Sequence, residues 1–81
     1  MLHIIYTESE VLLSKRKWAS WREIQDAVPR YKASLGPWAL AETVQFLQNE
    51  YSDLRPAAEM QVRALETSEQ ETVALTFDSP R

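Results

Sequence analysis

The sequence predicts a mainly α-helical domain closed by a C-terminal β-hairpin, and three observations carry that expectation. Thr7-Glu8-Ser9-Glu10 and Ser20-Trp21-Arg22-Glu23 both have the spacing of a helix-capping box. In that motif a hydroxyl accepts from a free backbone N–H, and a glutamate three residues on returns the bond. Pro37 heads a segment with helical apolar spacing, where its missing N–H costs nothing. Near the C-terminus, two runs alternate apolar and polar residues with the period of a strand.

The elements follow in order. The first capping box and the cations Lys15, Arg16 and Lys17 bound a helix over residues 8–17, with Val11, Leu12 and Leu13 on its apolar side. Trp18-Ala19 forms a short bridge. The second box opens a helix over residues 21–28, with Ile24, Ala27 and Val28 inward and Pro29 ending it. Residues 30–36 read as a turn. A third helix spans residues 37–49, burying Leu40, Ala41, Val44 and Leu47, with Tyr51 beyond it on the same stripe. Residues 59–77 read as a hairpin, with Met60, Val62 and Ala64 on one run and Val73, Leu75 and Phe77 on the other. The strong helix formers of residues 56–66 support a fourth helix as the alternative, and Ile4 and Ile5 would then supply the partner strand.

A single domain over residues 1–81 is expected, because 81 residues fill one core and not two. A composition 44% hydrophobic and 26% charged gives enough apolar surface to offset chain entropy. No stretch is apolar enough to span a bilayer. The opening Met1-Leu2-His3-Ile4-Ile5-Tyr6 lacks the basic flank and the small-residue cleavage site of a signal peptide, so a cytoplasmic protein is expected.

Trp18-Ala19-Ser20-Trp21-Arg22-Glu23-Ile24, Leu35-Gly36-Pro37-Trp38-Ala39-Leu40 and Val44-Gln45-Phe46-Leu47-Gln48-Asn49-Glu50-Tyr51 follow one another as bridge strand, turn and third helix. In that order and spacing the chain resembles the winged helix-turn-helix superfamily over most of its length. The likeness is architectural and includes no diagnostic motif. It implies that the third helix faces a duplex and that the hairpin is the wing. The glycine that commonly ends that helix is replaced here by Tyr51-Ser52-Asp53.

Composition removes most catalytic chemistry. Cysteine is absent, so there is no disulfide frame and no thiolate metal site. The single glycine, Gly36, excludes glycine-rich phosphate loops. His3 is the only imidazole, and it reads as a structural or exposed residue more than a ligand. The carboxylates have no apolar pocket to raise a pKa, and no serine has a nucleophile elbow. The chain reads as a binding module, not an enzyme, with no cofactor and no metal.

Charge is unevenly spread. Residues 15–32 hold Lys15, Arg16, Lys17, Arg22, Arg30 and Lys32 against Glu23 and Asp26, a net +4. Residues 33–81 hold three arginines against eight carboxylates, a net −5. Glu8 and Glu10 bring the total to −3. Opposite signs in so short a chain point to two faces.

Two functions are consistent with this. In the first, the protein is a small DNA-binding transcriptional regulator or mobile-element accessory protein on double-stranded DNA. Lys15, Arg16, Lys17, Arg22, Arg30 and Lys32 then anchor phosphates, and Thr43, Gln45 and Asn49 reach base edges. Against it, the third helix has no lysine or arginine, and residues 66–71 hold three acids. In the second, the protein is an adaptor or inhibitor that binds another protein through an acidic surface, anchored by Trp38 and Phe46, without binding DNA. A homodimer is compatible with either, and a membrane partner with neither.

Overall fold

The computed structural model describes residues 1–78 and shows a strand-first α+β domain. The elements are β1 (Leu2–Thr7), β2 (Val11–Ser14), α1 (Trp21–Ala27), β3 (Tyr31–Trp38), α2 (Leu40–Glu50), α3 (Ala58–Thr67) and β4 (Thr72–Ala74). The strands form one antiparallel sheet in the order β3-β1-β2-β4. This overturns both the mainly α class and the winged helix-turn-helix resemblance, in which helices come first and a hairpin last.

The first correction falls on residues 8–17. Thr7 Oγ1 does accept from the Glu10 N–H at 2.9 Å, as a capping box would have it. Here, however, that bond closes the turn between β1 and β2, a local use of a hydroxyl that turns and helix starts share. Val11, Leu12 and Leu13 are consecutive, so they cannot form a stripe of period 3.6, whereas a strand sends them to alternate faces. Pairing Ile4 with Leu13 and Ile5 with Leu12 satisfies both faces of the hairpin.

The second correction concerns the turn expected over residues 30–36: Tyr31–Trp38 form β3 on the outer edge of β1, and only Arg30 stays in a turn. Pro37 lies in this edge strand, where a missing donor is tolerated. The helix that follows begins three residues later, at Leu40. Between the pairs Leu2–Trp38 and Ile4–Leu35 the register slips by one residue, a bulge that falls at Gly36 and Pro37. Gly36 has φ +119°, and a Cβ there would lie 2.6 Å from the Leu2 carbonyl oxygen.

The third correction replaces the hairpin of residues 59–77 with a helix, a loop and a strand. Ala58, Gln61, Val62 and Leu65 are buried, which is helical spacing, while Met60 and Ala64 face outward. Gln61 is satisfied inside: its Nε2 donates to the Pro56 and Thr76 carbonyls, and its Oε1 accepts from the Thr76 N–H. β4 pairs with β2, not with a local hairpin partner and not with Ile4 and Ile5.

The second expected helix stands nearly as read, the third stands from Leu40 onward, and the alternative helix over residues 56–66 is α3. α1 begins after Ser20 and ends before Pro29, although Ser20 makes no side-chain cap bond. The Glu23 carboxylate accepts from the Ala19 N–H instead.

The two faces of the sheet are covered differently. On one, α2 and α3 pack against Leu2, Ile4 and Leu13 through Val44, Leu47, Ala58, Val62 and Leu65. Each large apolar side chain buried there stabilises the fold by roughly 1.5–3 kcal/mol. The opposite face presents His3, Ile5, Ser14, Ser34 and Thr72, by strand alternation and register. Among the described residues, its only helical cover is the two-turn α1, which lies over β3 and buries Ile24. Among the described residues, no helix is long and apolar enough to cross a membrane.

Candidate functional site

The thinly covered face contains the site. β2 ends at Ser14, and the chain leaves it as Lys15-Arg16-Lys17-Trp18 before entering α1. Ser14 is fully buried, and its hydroxyl oxygen accepts from Trp18 Nε1–H at 3.1 Å and from the Thr72 hydroxyl at 2.9 Å. The Arg16 N–H approaches the same oxygen at 3.3 Å. One serine thereby fixes the tryptophan against the sheet and joins it to β4.

Alternation separates the three cations. Lys15 turns to the helical side, where its ammonium donates to the carbonyls of Leu65, at 2.8 Å, and of Ser68. These are terminal carbonyls of α3, the negative end of its dipole, so the Lys15 ammonium caps a helix while its side chain still borders the cleft that Arg16 and Lys17 line. The Arg16 guanidinium lies 4.3 Å from the centroid of the Trp18 ring, a cation–π stack. Trp21, the first residue of α1, is 55% exposed and has the Arg22 guanidinium 5.4 Å from its ring centroid. α1 buries only Ile24, which leaves Trp21 outside.

These side chains border two adjoining clefts of about 310 and 260 Å³, which share His3, Trp18 and Pro37. Arg16 and Lys17 line the first, and Trp21 and Ile24 the second. No carboxylate lines either among the described residues. The nearest acid in sequence, Glu23, has an oxygen turned to the Ala19 N–H. Arg55 and Arg63, by contrast, are paired with Asp78 and Glu59. No carboxylate lies within ion-pair distance of Arg16, Lys17 or Arg22 among the described residues.

His3 lies at the junction of the clefts and is only 8% exposed. Its Nδ1 is buried without a hydrogen-bond partner. Burial, and secondarily the nearby N-terminal ammonium, holds its pKa below the ordinary 6.5, so the ring is neutral at pH 7. Sequence reading gave His3 no role in a site. Its position depends on the register that sets it opposite Ser14 and beside Gly36, and neither neighbour is close to it in sequence.

The other residues singled out from the sequence lie elsewhere. Arg30 is exposed at φ +60°, in the turn before β3, and Lys32 is exposed on β3; neither lines the two clefts. Thr43 is 0% exposed and donates its hydroxyl to the Ala39 carbonyl, which removes it from any base edge. Gln45 and Asn49 are exposed on α2, across the sheet from the clefts. Trp38 and Phe46 stack edge to face at 5.1 Å and pack, half-buried, against the helix-side core. They supply core area in place of a free aromatic patch.

A separate depression of about 330 Å³ lies among Tyr6, Thr7, Glu10, Val11, Leu75 and Phe77. Burial, with Tyr51 and Glu50 close by, pushes the Tyr6 phenol up to about 12, so it is a neutral hydrogen-bonding group and not a base. No group of three or more histidines, aspartates and glutamates suited to a metal exists among the described residues. What the cleft face offers is fixed positive charge, ring faces and one neutral imidazole.

The chain matches no protein-family model, no curated protein and no solved structure among those compared.

Proposed function

We propose that this protein is a nucleic-acid-binding module that engages single strands through its cleft face. The observation that carries the reading is the juxtaposition of Arg16 and Lys17 with Trp18 and Trp21 around clefts lined by no carboxylate among the described residues, with Arg22 beside the Trp21 ring. Unpaired cations attract a phosphate backbone, and exposed rings give unpaired bases a surface to stack on. A duplex keeps its bases stacked internally, so it gains from the charge but not from Trp21. The reading is of a binding module and not an enzyme, in the cytoplasmic setting expected from the sequence. In this reading the protein serves a regulatory or accessory role on DNA, with Arg16, Lys17 and Arg22 of the expected phosphate anchors at the cleft face and no base contact from Thr43, Gln45 or Asn49 on α2.

Titration with a single-stranded oligonucleotide and with its duplex, at two salt concentrations, tests this. Binding of the single strand is expected to weaken steeply with salt and to quench tryptophan fluorescence. Trp21→Ala is expected to weaken it by roughly 5–100-fold, equivalent to the 1–3 kcal/mol of one stacked base. Absence of single-strand binding even at low salt would overturn the reading.

The second reading is a protein-interaction module. It is favoured by the outer surface of α2 and α3, where exposed Glu42, Glu50, Glu59 and Glu66 accompany Met60, itself 61% exposed. Such a surface complements a basic partner.

A further inference from the structure

We propose that the cleft bounded by His3, Arg16, Lys17, Trp18 and Pro37 receives a terminal phosphate monoester, either the phosphorylated end of a strand or a free nucleoside monophosphate. The inference rests on the nucleic-acid reading, since it names the part of a strand that enters.

Four features select this ligand. The first is charge: Arg16 and Lys17 line the cleft with no carboxylate, and the ammonium of Lys15 is engaged by the α3 carbonyls. Two free cations match the near-double negative charge of a monoester better than the single charge of a backbone diester. The second is burial: His3 lines the cleft and is only 8% exposed, so a ligand meets it by entering the cleft and not by tracking over the surface. The third is its Nδ1, a buried polar atom without a hydrogen-bond partner among the described residues, which a small turn of the ring on binding would offer to a phosphate oxygen or sugar hydroxyl. The fourth is the remaining wall, Trp18 and Pro37, whose apolar surface suits a sugar and base. A volume of about 310 Å³ is at the small end for organic ligands, large enough for one nucleotide and too small for several.

The single histidine provides a direct readout. The charged groups lining its cleft are Lys15, Arg16 and Lys17, with the N-terminal ammonium nearby, and all are cationic. An anion entering among them favours the imidazolium, so occupancy should move the His3 titration midpoint upward.

The test compares one single-stranded oligonucleotide bearing a 5′-phosphate, a 3′-phosphate or hydroxyl ends, together with a free nucleoside monophosphate. Binding is measured by anisotropy or competition, and the His3 imidazole resonance is followed by NMR. One phosphorylated end is expected to bind about tenfold more tightly than the hydroxyl form, as one added charge-assisted hydrogen bond would give. That preference should vanish in the double variant Arg16→Gln/Lys17→Gln, whose changes lie on the surface. It should also vanish in His3→Phe, which keeps the ring volume. Equal affinity for all ends, with the strand still bound, would overturn the inference and leave the nucleic-acid reading intact. Binding of the monophosphate without binding of any strand would support the cleft as the phosphate site and overturn the strand reading. Absence of binding by every probe would overturn both.

Discussion

The two faces of the sheet differ in what fills them. On the α2–α3 side, Leu2, Ile4, Leu13, Val44, Leu47, Val62 and Leu65 close a dry core, and the one charged group brought to it, Lys15, is spent on helix carbonyls. On the α1 side, the same strands present the buried Ile5 together with His3, Ser14, Ser34 and Thr72 under a two-turn helix, and clefts remain. Alternation along β1 and β2 makes both faces from one stretch of chain. Stability is therefore concentrated on one side, which frees the other to hold polar and cationic groups that a close-packed core excludes.

The sharpest way to break this contrast is to truncate the dry side. Leu13→Ala removes a fully buried side chain and should cost about 2–5 kcal/mol, seen as a large fall in the denaturant midpoint with m unchanged. Gly36→Ala tests the edge shared by both faces. The new Cβ meets the Leu2 carbonyl oxygen at a φ that L-residues rarely adopt, so the loss should exceed about 1 kcal/mol. Ser14→Ala tests the polar side. It strands Trp18 Nε1–H and the Thr72 hydroxyl, for a loss of about 1–3 kcal/mol and a shift in tryptophan emission.

The smallest effect, and the most specific, belongs to His3. Its folded pKa is lowered, so between that value and 6.5 the unfolded chain binds more protons than the folded one. Its contribution is complete above 6.5 and is lost as pH falls toward the folded pKa. His3→Phe should therefore be as stable as wild type or more so at pH 7, and should lose less stability on going to pH 5, as thermal melts of the two proteins side by side will show. An identical pH dependence would remove the strained imidazole from the account of this face.

The sequence revealed some of this and concealed the rest for identifiable reasons. α1 was legible because Ser20, Glu23 and Pro29 mark its limits independently of anything distant. The middle of α2 was legible from Val44 and Leu47. The N-terminal hairpin was hidden because Thr7 and Glu10 use the same atoms to close a turn that they would use to start a helix. The C-terminal run was hidden because Met60, Val62 and Ala64 alternate as a strand would, although the buried set is Ala58, Val62 and Leu65. The clustering of Arg16, Lys17 and Arg22 could be read from the sequence, since all lie within a few positions. That Lys15 turns away and Thr43 is buried follows from alternation and helix phase set by tertiary pairing. Such pairing also brings His3 to Ser14 and Gly36.

The bond from Thr72 to Ser14 spans 58 residues of chain. β1 and β2 need only a four-residue turn to meet, and can do so within microseconds. β4 is the last of these elements in the chain, so its pairing with β2 closes the longest loop in the sheet. Ser14 thus joins the most local contact of the sheet to the most distant one: its strand pairs across a tight turn, while its hydroxyl is shared between the indole four residues on and a threonine at the far end of the chain.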